Sequence, residues 1–267
     1  MPVFNEERYI KDAINSILNQ TYPFFEFIII NDGSTDESEK IIHSFDDDRI
    51  IYKKNKKNLG LIETLNLGIL LSKCGFIARM DADDISHITR LEKQINYLKS
   101  NSDFVAVGSF FRCIDLKGRF IENLNWPNGI KKILYSSITG FCPLGHPGTM
   151  YKKSAVIEVG SYDKNYHACE DYELWLRLLA NGYKINNLSE YLLDYRKHKN
   201  QVSFNYREEQ LTNHIKAFQL FYEKLTKRKL KLDDALKYVD IFNFRKKIKN
   251  KHLNLILGTY NNLNRKI

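Results

Sequence analysis

Glu26-Phe27-Ile28-Ile29-Ile30-Asn31-Asp32-Gly33-Ser34-Thr35-Asp36 is the stretch whose reading decides the fold. Glu26 to Asn31 forms a short, continuous apolar run, the pattern of a strand buried on both faces. Asp32 to Asp36 turns the chain and opens a helix. Ser34 or Thr35 is expected to cap it, and Glu37 and Glu39 suit its positive end. A doubly buried strand that runs straight into a helix is the unit of a parallel α/β sheet.

The pattern repeats on both sides of this stretch. Residues 2–4 form a strand stub, and Asn5 is expected to cap a helix reaching about Gln20, with Ile10, Ile14, Ile17 and Leu18 at helical spacing. Downstream come a strand at Arg49–Lys53, a helix at Leu61–Ser72 and a strand at Phe76–Met80 that ends on Asp81-Ala82-Asp83-Asp84. A helix at Arg90–Leu98 and a strand at Phe104–Cys113 complete the alternation. Ligands of such sheets bind beyond the carboxyl ends of the strands. Asp32 and Asp81 both stand just past strand ends, so the two acidic turns are expected to face one cleft.

After Asp115 the alternation stops. Leu116-Lys117-Gly118 reads as a hairpin turn, and Phe141–Thr149 as a loop around His146-Pro147-Gly148. Glu170–Ala180 carries Leu174, Trp175, Leu178 and Leu179 on one helical stripe, with Gly182 placed to end it. Tyr191–Arg196 reads as a strand and Lys197–Ser203 as a polar loop. From about Tyr206 the chain reads as a basic amphipathic helix.

The 267 residues are 43% hydrophobic and 27% charged, enough to bury a core and too apolar for wholesale disorder. The net charge of +9 is local: residues 207–267 hold fifteen basic and six acidic side chains, and the rest of the chain is neutral. A basic nucleic-acid face on the main domain is therefore excluded. Cys74, Cys113, Cys142 and Cys169 are scattered, without zinc spacing, which suits a reducing compartment. No apolar run approaches the ~18 residues of a bilayer span, and the start has no basic segment of a signal peptide. A cytoplasmic enzyme is the expectation.

Asp81-Ala82-Asp83-Asp84 is the sharpest chemical feature. Three carboxylates within four residues repel one another unless a cation sits among them. Such hard oxygens suit Mg²⁺ or Mn²⁺, although an acidic helix start on a solvated surface has the same composition. Ile85 and Ser86 stand where a calcium loop needs an oxygen ligand and a glycine, which excludes that site. The Asn31–Asp36 turn is either an ordinary capped turn or a nucleotide contact, and no G-x-G-x-x-G or Walker A loop exists. Glu170-Asp171 is either a favourable helix start or a general base. His146, Arg196 and His198, taken singly, read as structural.

Taken together these segments have an order. Pro2-Val3-Phe4-Asn5-Glu6-Glu7, Ser16–Tyr22, Asn31–Asp36 and Ala78–Asp84 resemble family 2 glycosyltransferases. Gly145–Met150, Glu170–Arg177 and Tyr195-Arg196-Lys197-His198 resemble the branch that builds bacterial surface polysaccharides, similar to amylovoran glycosyltransferases. The resemblance covers residues 1–205. It implies a GT-A fold, with a Rossmann-like, mostly parallel sheet flanked by helices, and leaves 206–267 as a basic helical extension. It implies inverting, Mn²⁺- or Mg²⁺-dependent transfer from a nucleotide-diphosphate sugar, typically UDP-linked, to a saccharide or lipid-linked acceptor. Pro2, Phe4, Glu6, Asp32 and Asp81 would line the nucleotide, Asp32 on the base. Asp83 would hold the metal with Asp81 and His198, and His198 would close over the diphosphate. Asp171 would be the base, with Glu170 beside it.

Two departures from the family pattern are visible. Leu65 stands where many members carry an arginine, so phosphate neutralisation is expected to fall to Arg79. The processive Q-x-x-R-W signature is absent, which favours one sugar per encounter. Members also begin with a longer apolar strand before the Pro-Val-Phe-Asn segment, so the expectation is that either the true start lies upstream of Met1 or the sheet is incomplete. A nucleotidyltransferase or a nucleotide-sugar-binding scaffold is the competing reading. The tail, with Lys227-Arg228-Lys229, Arg245-Lys246-Lys247, Lys249 and Lys251 among Leu225, Leu230, Leu232, Ile241, Phe242, Phe244 and Ile248, is expected to touch anionic membrane.

Overall fold

The structure is a computed structural model, and it describes residues 1–138, 141–198, 206–232 and 234–235. The deciding stretch folds as read: β2 (Phe27–Asn31) runs into a turn and then α2 (Ser38–His43). β1 (Pro2–Val3) and β3 (Ile50–Lys54) flank β2 in parallel, with Pro2 opposite Ile30 and Phe27 opposite Ile50. α1 (Ile10–Leu18) buries Ile10, Ala13, Ile14 and Ile17 against Val3, Phe27, Ile29 and Ile42.

Next come α3 (Leu61–Leu71), β4 (Phe76–Ala78), β5 (Ile85–Ser86), α4 (Arg90–Ser100), β6 (Phe104–Ile114) and β7 (Phe120–Leu124). They are followed by α5 (Ile130–Ile138), a 3₁₀ turn at His146–Gly148, β8 (Met150–Lys152), α6 (Lys153–Glu158), α7 (Glu170–Ala180), β9 (Lys184–Arg196) and α8 (Arg207–Thr226). β6 and β9 pair in parallel over their whole lengths. Antiparallel pairing is confined to β8 with β4 and β6, β5 with β9, and the β6–β7 hairpin, which turns at Gly118 as expected.

Three expectations are corrected. Asn5 caps no helix: it has a positive φ of 56°, and its Oδ1 accepts from Thr35 N–H, so it ties the first loop to the Asp32–Asp36 turn. Ser38 N–H is received by Asp36 Oδ1, not by Ser34 or Thr35; Ser34 Oγ instead accepts from Asn5 N–H. β9 starts seven residues before Tyr191, because buried Asn186 and Asn187 break the apolar signal. Asn187 Nδ2 donates to Pro127 O and Pro143 O, and Asn186 Oδ1 accepts from Gly129 N–H, so two asparagines in a strand hold the neighbouring loops.

α8 is not a detached tail. Ile215, Phe218, Phe221, Tyr222 and Leu225 join the core formed by α3, α5, α7 and β6. Leu225 and Leu230, expected to face lipid, are buried there. Lys227, Arg228, Lys229 and Leu232 are exposed, and the expected contacts from Ile241 to Lys251, like most of the Lys197–Ser203 loop, lie outside the described residues. Among the described residues no helix is long and apolar enough to cross a membrane.

Beside Met1, between β2 and β4, lies a cavity of about 280 Å³ lined by Ile28, Ile30, Leu65, Ile69, Ile77 and Met80. The Met1 amine donates to Ile28 O at 2.8 Å, and burial pushes it down to about 5. An engineered N-terminal extension of alternating apolar residues is expected to fill this slot. Two buried Val or Ile side chains contribute about 1.5–3 kcal/mol each, so the melting temperature should rise by several degrees. Equal melting temperatures with and without the extension would remove this prediction.

Candidate active site

The site grows from the turns after β2 and β4. Gly33 takes φ 76° and passes so close to Lys57 that a Cβ would sit 2.7 Å from its carbonyl carbon, so only glycine fits the turn. Asp32, almost fully buried, accepts from Asn55 Nδ2 (2.7 Å) and Leu59 N–H (2.9 Å) on Oδ1 and from Gly60 N–H (2.9 Å) on Oδ2. It therefore also fixes the loop leading into α3. Asp32 N–H donates to Val3 O, which sets Phe4, half exposed, beside it. Pro2 lies deeper in β1 and lines the apolar cavity.

Glu6 N–H donates to Ser38 Oγ and Glu7 N–H to Asp36 Oδ2, which zips the first loop onto the Asp32–Asp36 turn and the start of α2. Glu6 also faces Asp83, His198, Asp81 and Asp36; burial first, and Asp83 second, push it up to about 8. The two acidic turns, one after β2 of the three-stranded sheet and one after β4 of the six-stranded sheet, thus converge on Glu6.

Asp81, Asp83 and Asp84 present carboxylate oxygens within 4.8 Å of one another. Burial drives Asp81 and, more strongly, Asp84 above the usual carboxylate range. Asp84 Oδ1 accepts from Arg196 N–H, while its buried Oδ2 has no partner among the described residues. An orphaned carboxylate oxygen within an all-oxygen donor set fits Mg²⁺ or Mn²⁺. His198 Nε2 stands 2.7 Å from Asp83 Oδ2, and that hydrogen bond raises its pKa. Arg196 locks this corner: Nε donates to Asp83 O, and the guanidinium lies 4.4 Å over the Tyr9 ring.

Arg79, expected to neutralise phosphate, is paired with a carboxylate of the cluster. Its guanidinium is 4% exposed and forks onto Asp81, with Nη1–Oδ2 at 2.6 Å and Nη2–Oδ1 at 2.5 Å. It aims Asp81, so its charge is shared with that carboxylate. Leu65 is part of the core, where an arginine would be buried.

Glu170 and Asp171 open α7, whose stripe of Leu174, Trp175, Leu178 and Leu179 is wholly buried and fixes the helix axis. Arg79 links the two acidic groups, since both Asp81 and Glu170 act on it. Tyr172 N–H donates to Asp171 Oδ1 at 2.7 Å, and the Cys142 thiol to Oδ2 at 3.5 Å. Burial raises Asp171, and these donors oppose it. Burial and the Asp171 charge push Glu170 up to about 7. Both carboxyls are therefore raised by burial, and only Asp171 is hydrogen-bonded by the Tyr172 N–H and the Cys142 thiol. His146 is held neutral by burial; its Nε2 meets the Tyr162 hydroxyl at 2.9 Å. Gly145 and Gly148 leave room for the Phe111 ring, which a Cβ at either would meet at 2.3 Å.

Reading the sequence missed Cys142, Tyr162 and the buried pair Arg90 and Gln94. Arg90 Nη1 donates to Pro147 O and Gln94 Nε2 to Gly148 O, so α4 carries the His146–Gly148 turn. The only sequence signal was polar residues on the inner side of a helix.

Glu170→Gln should show the cost of the buried carboxyl. A raised carboxyl pKa leaves stability untouched below the unfolded value and subtracts from it as pH rises through 4.5 towards 7. The full cost is roughly 3 kcal/mol. The variant is expected to melt several degrees higher than the parent at pH 8 and equally at pH 4. The same difference at both pH values would show that Glu170 is not the group concerned.

The sequence model of the family described as "Glycosyl transferase family 2" matches residues 1–160. The O-antigen biosynthesis glycosyltransferase WbnJ of Escherichia coli is 38% identical over 208 residues, covering 74% of this chain and 78% of its own. The crystal structure of S. aureus TarS 1–349 with UDP-GlcNAc has a TM-score of 0.71 at 16% identity, over 98% of this chain and 78% of that one. The mannosyltransferase PcManGT of Pyrobaculum calidifontis, with GDP-Man and Mn²⁺, has a TM-score of 0.64 at 12% identity, over 97% and 72%. The match across more than half the chain and the shared GT-A fold agree with the acidic turns and the paired carboxylates: the chain belongs to glycosyl transferase family 2.

Proposed function

We propose that this glycosyltransferase moves a sugar from a UDP-linked donor, with inversion, onto a saccharide or lipid-linked saccharide during bacterial surface polysaccharide synthesis. One observation carries the reading: a carboxylate pair at a helix start and a carboxylate cluster that fits a divalent cation both act electrostatically on the buried Arg79. The UDP-GlcNAc complex of the structural neighbour and the O-antigen role named for the E. coli relative support the donor and the pathway class.

Asp83 and Asp81, with Asp84 behind them, would hold Mn²⁺ or Mg²⁺, and His198 would close the same corner. The ion, when bound, neutralises the diphosphate as a Lewis acid. Asp32 and Glu6 orient the nucleoside. Asp171 takes the proton of the acceptor hydroxyl as that oxygen attacks the anomeric carbon. The anomeric carbon–oxygen bond breaks on the opposite face, and its electrons leave with the nucleoside diphosphate.

Incubation with Mn²⁺ and UDP-, GDP- and dTDP-sugars tests the reading. Slow release of UDP from a UDP-sugar is expected. Pyrophosphate release would indicate a nucleotidyltransferase, and no product from any donor a binding scaffold.

The exposed Lys227-Arg228-Lys229 run and the basic residues after it are proposed to meet anionic lipid, each contributing about 1 kcal/mol near the surface. Removal of residues 226–267 is expected to abolish co-sedimentation with phosphatidylglycerol vesicles. Binding unchanged by the truncation, or equal on neutral vesicles, would refute the contact.

A further inference from the structure

α8 grips the segment that leads into α7. Gln210 Nε2 donates to Ala168 O and Asn213 Nδ2 to His167 O, each at 2.9 Å. Glu209 meets His167 Nδ1 at 3.2 Å, and the Tyr206 ring stands edge-on to the His167 ring. One step further along the same face, His214 lies flat on Tyr172, with centroids 3.6 Å apart and planes 7° from parallel. Its Nδ1 is 3.6 Å from Cys169 Sγ. Positions 206, 209, 210, 213 and 214 form one helical row.

The gripped segment needs holding. Ala168 sits at φ 59°, a region that a residue with a Cβ seldom occupies. Two residues later come Glu170 and Asp171, and Tyr172 supplies the N–H that Asp171 Oδ1 accepts. The apolar stripe of α7 fixes the axis of that helix but not the orientation of its first turn. α8 is itself anchored by Phe218, Phe221 and Leu225, all buried in the common core.

We propose that α8 is a clamp that positions the catalytic acidic pair, with Gln210, Asn213 and His214 as its positioning residues. The proposal rests on the reading of Asp171 as the base. The C-terminal helix thereby belongs to the working parts of the active site, although it contributes no reacting group.

Hydrogen–deuterium exchange of the full chain tests it. In Gln210→Ala/Asn213→Ala, amides of residues 167–174 are expected to exchange about tenfold faster, as local opening becomes easier. Peptides of β1 to β3 should be unchanged. UDP affinity with Mn²⁺ should also be unchanged, while UDP-GlcNAc hydrolysis falls about tenfold in kcat with KM unaltered. His214→Phe keeps the stacked ring and should behave as the parent, whereas His214→Ala should resemble the double variant. If the double variant does not fold, Asn213→Ala alone gives the same reading at smaller amplitude. Unchanged exchange at 167–174, or a uniform rise across the chain, overturns the clamp. A parent enzyme that hydrolyses no donor would count against the proposed reaction and leave the exchange result to decide the clamp.

Discussion

Asp83→Ala is expected to lose Mn²⁺-dependent UDP binding by on the order of 100-fold, because neutralising a diphosphate with a metal is a matter of several kcal/mol. Asp83 can carry that loss because of its setting. Asp81 is already forked on Arg79, and Asp84 spends one oxygen on the Arg196 N–H. Asp83 is the member whose carboxylate is held by a single described side chain, His198. A cation can displace that imidazole more readily than a bidentate guanidinium. Titration calorimetry of UDP with and without Mn²⁺ reads the effect. The variant should bind the nucleotide equally weakly in both conditions. Retention of the metal-dependent gain would transfer the role to Asp81 or Asp84. The fold should tolerate the change, since removal of Asp83 relieves repulsion on both neighbouring carboxylates.

The parallel half of the molecule was legible because its signals are local. An apolar run, a glycine that must take a positive φ, and acids at the following helix all lie within Glu26 to Glu39. The Asp81–Asp84 cluster was legible for the same reason. Other features were hidden because they are made of long-range polar contacts. The length of β9 was masked by Asn186 and Asn187, whose partners Gly129, Pro127 and Pro143 lie more than forty residues away. Arg79 looked like a free cation because sequence does not reveal that its side chain is buried and folds onto Asp81. The role of α8 was hidden by its charge: Lys227-Arg228-Lys229 drew attention to a surface, while Phe218, Phe221 and Leu225 went to the core.

Asp171→Asn should lower turnover by roughly 10²–10⁴-fold, the usual worth of a positioned general base. The substitution keeps the shape of the side chain. The amide oxygen can still accept from Tyr172 N–H, and the amide nitrogen takes the place of the oxygen that faces the Cys142 thiol. Only the proton acceptor is removed. Donor affinity should hardly move, because the nucleotide and cation contacts are proposed for Asp32, Glu6, Asp81 and Asp83. In the parent, burial and the Asp171 charge raise Glu170 to about 7, so it is the weaker candidate for the base. Without the Asp171 charge beside it, Glu170 ionises more readily, and residual activity in the variant should rise with pH as that carboxyl titrates. The parent should instead lose activity on acidification as Asp171 itself, raised above the ordinary aspartate range, takes up a proton. Measuring kcat at saturating UDP-sugar from pH 5 to 9 separates the two carboxyls. Near-normal turnover of Asp171→Asn across that range would make Glu170 the base and Asp171 the residue that tunes it.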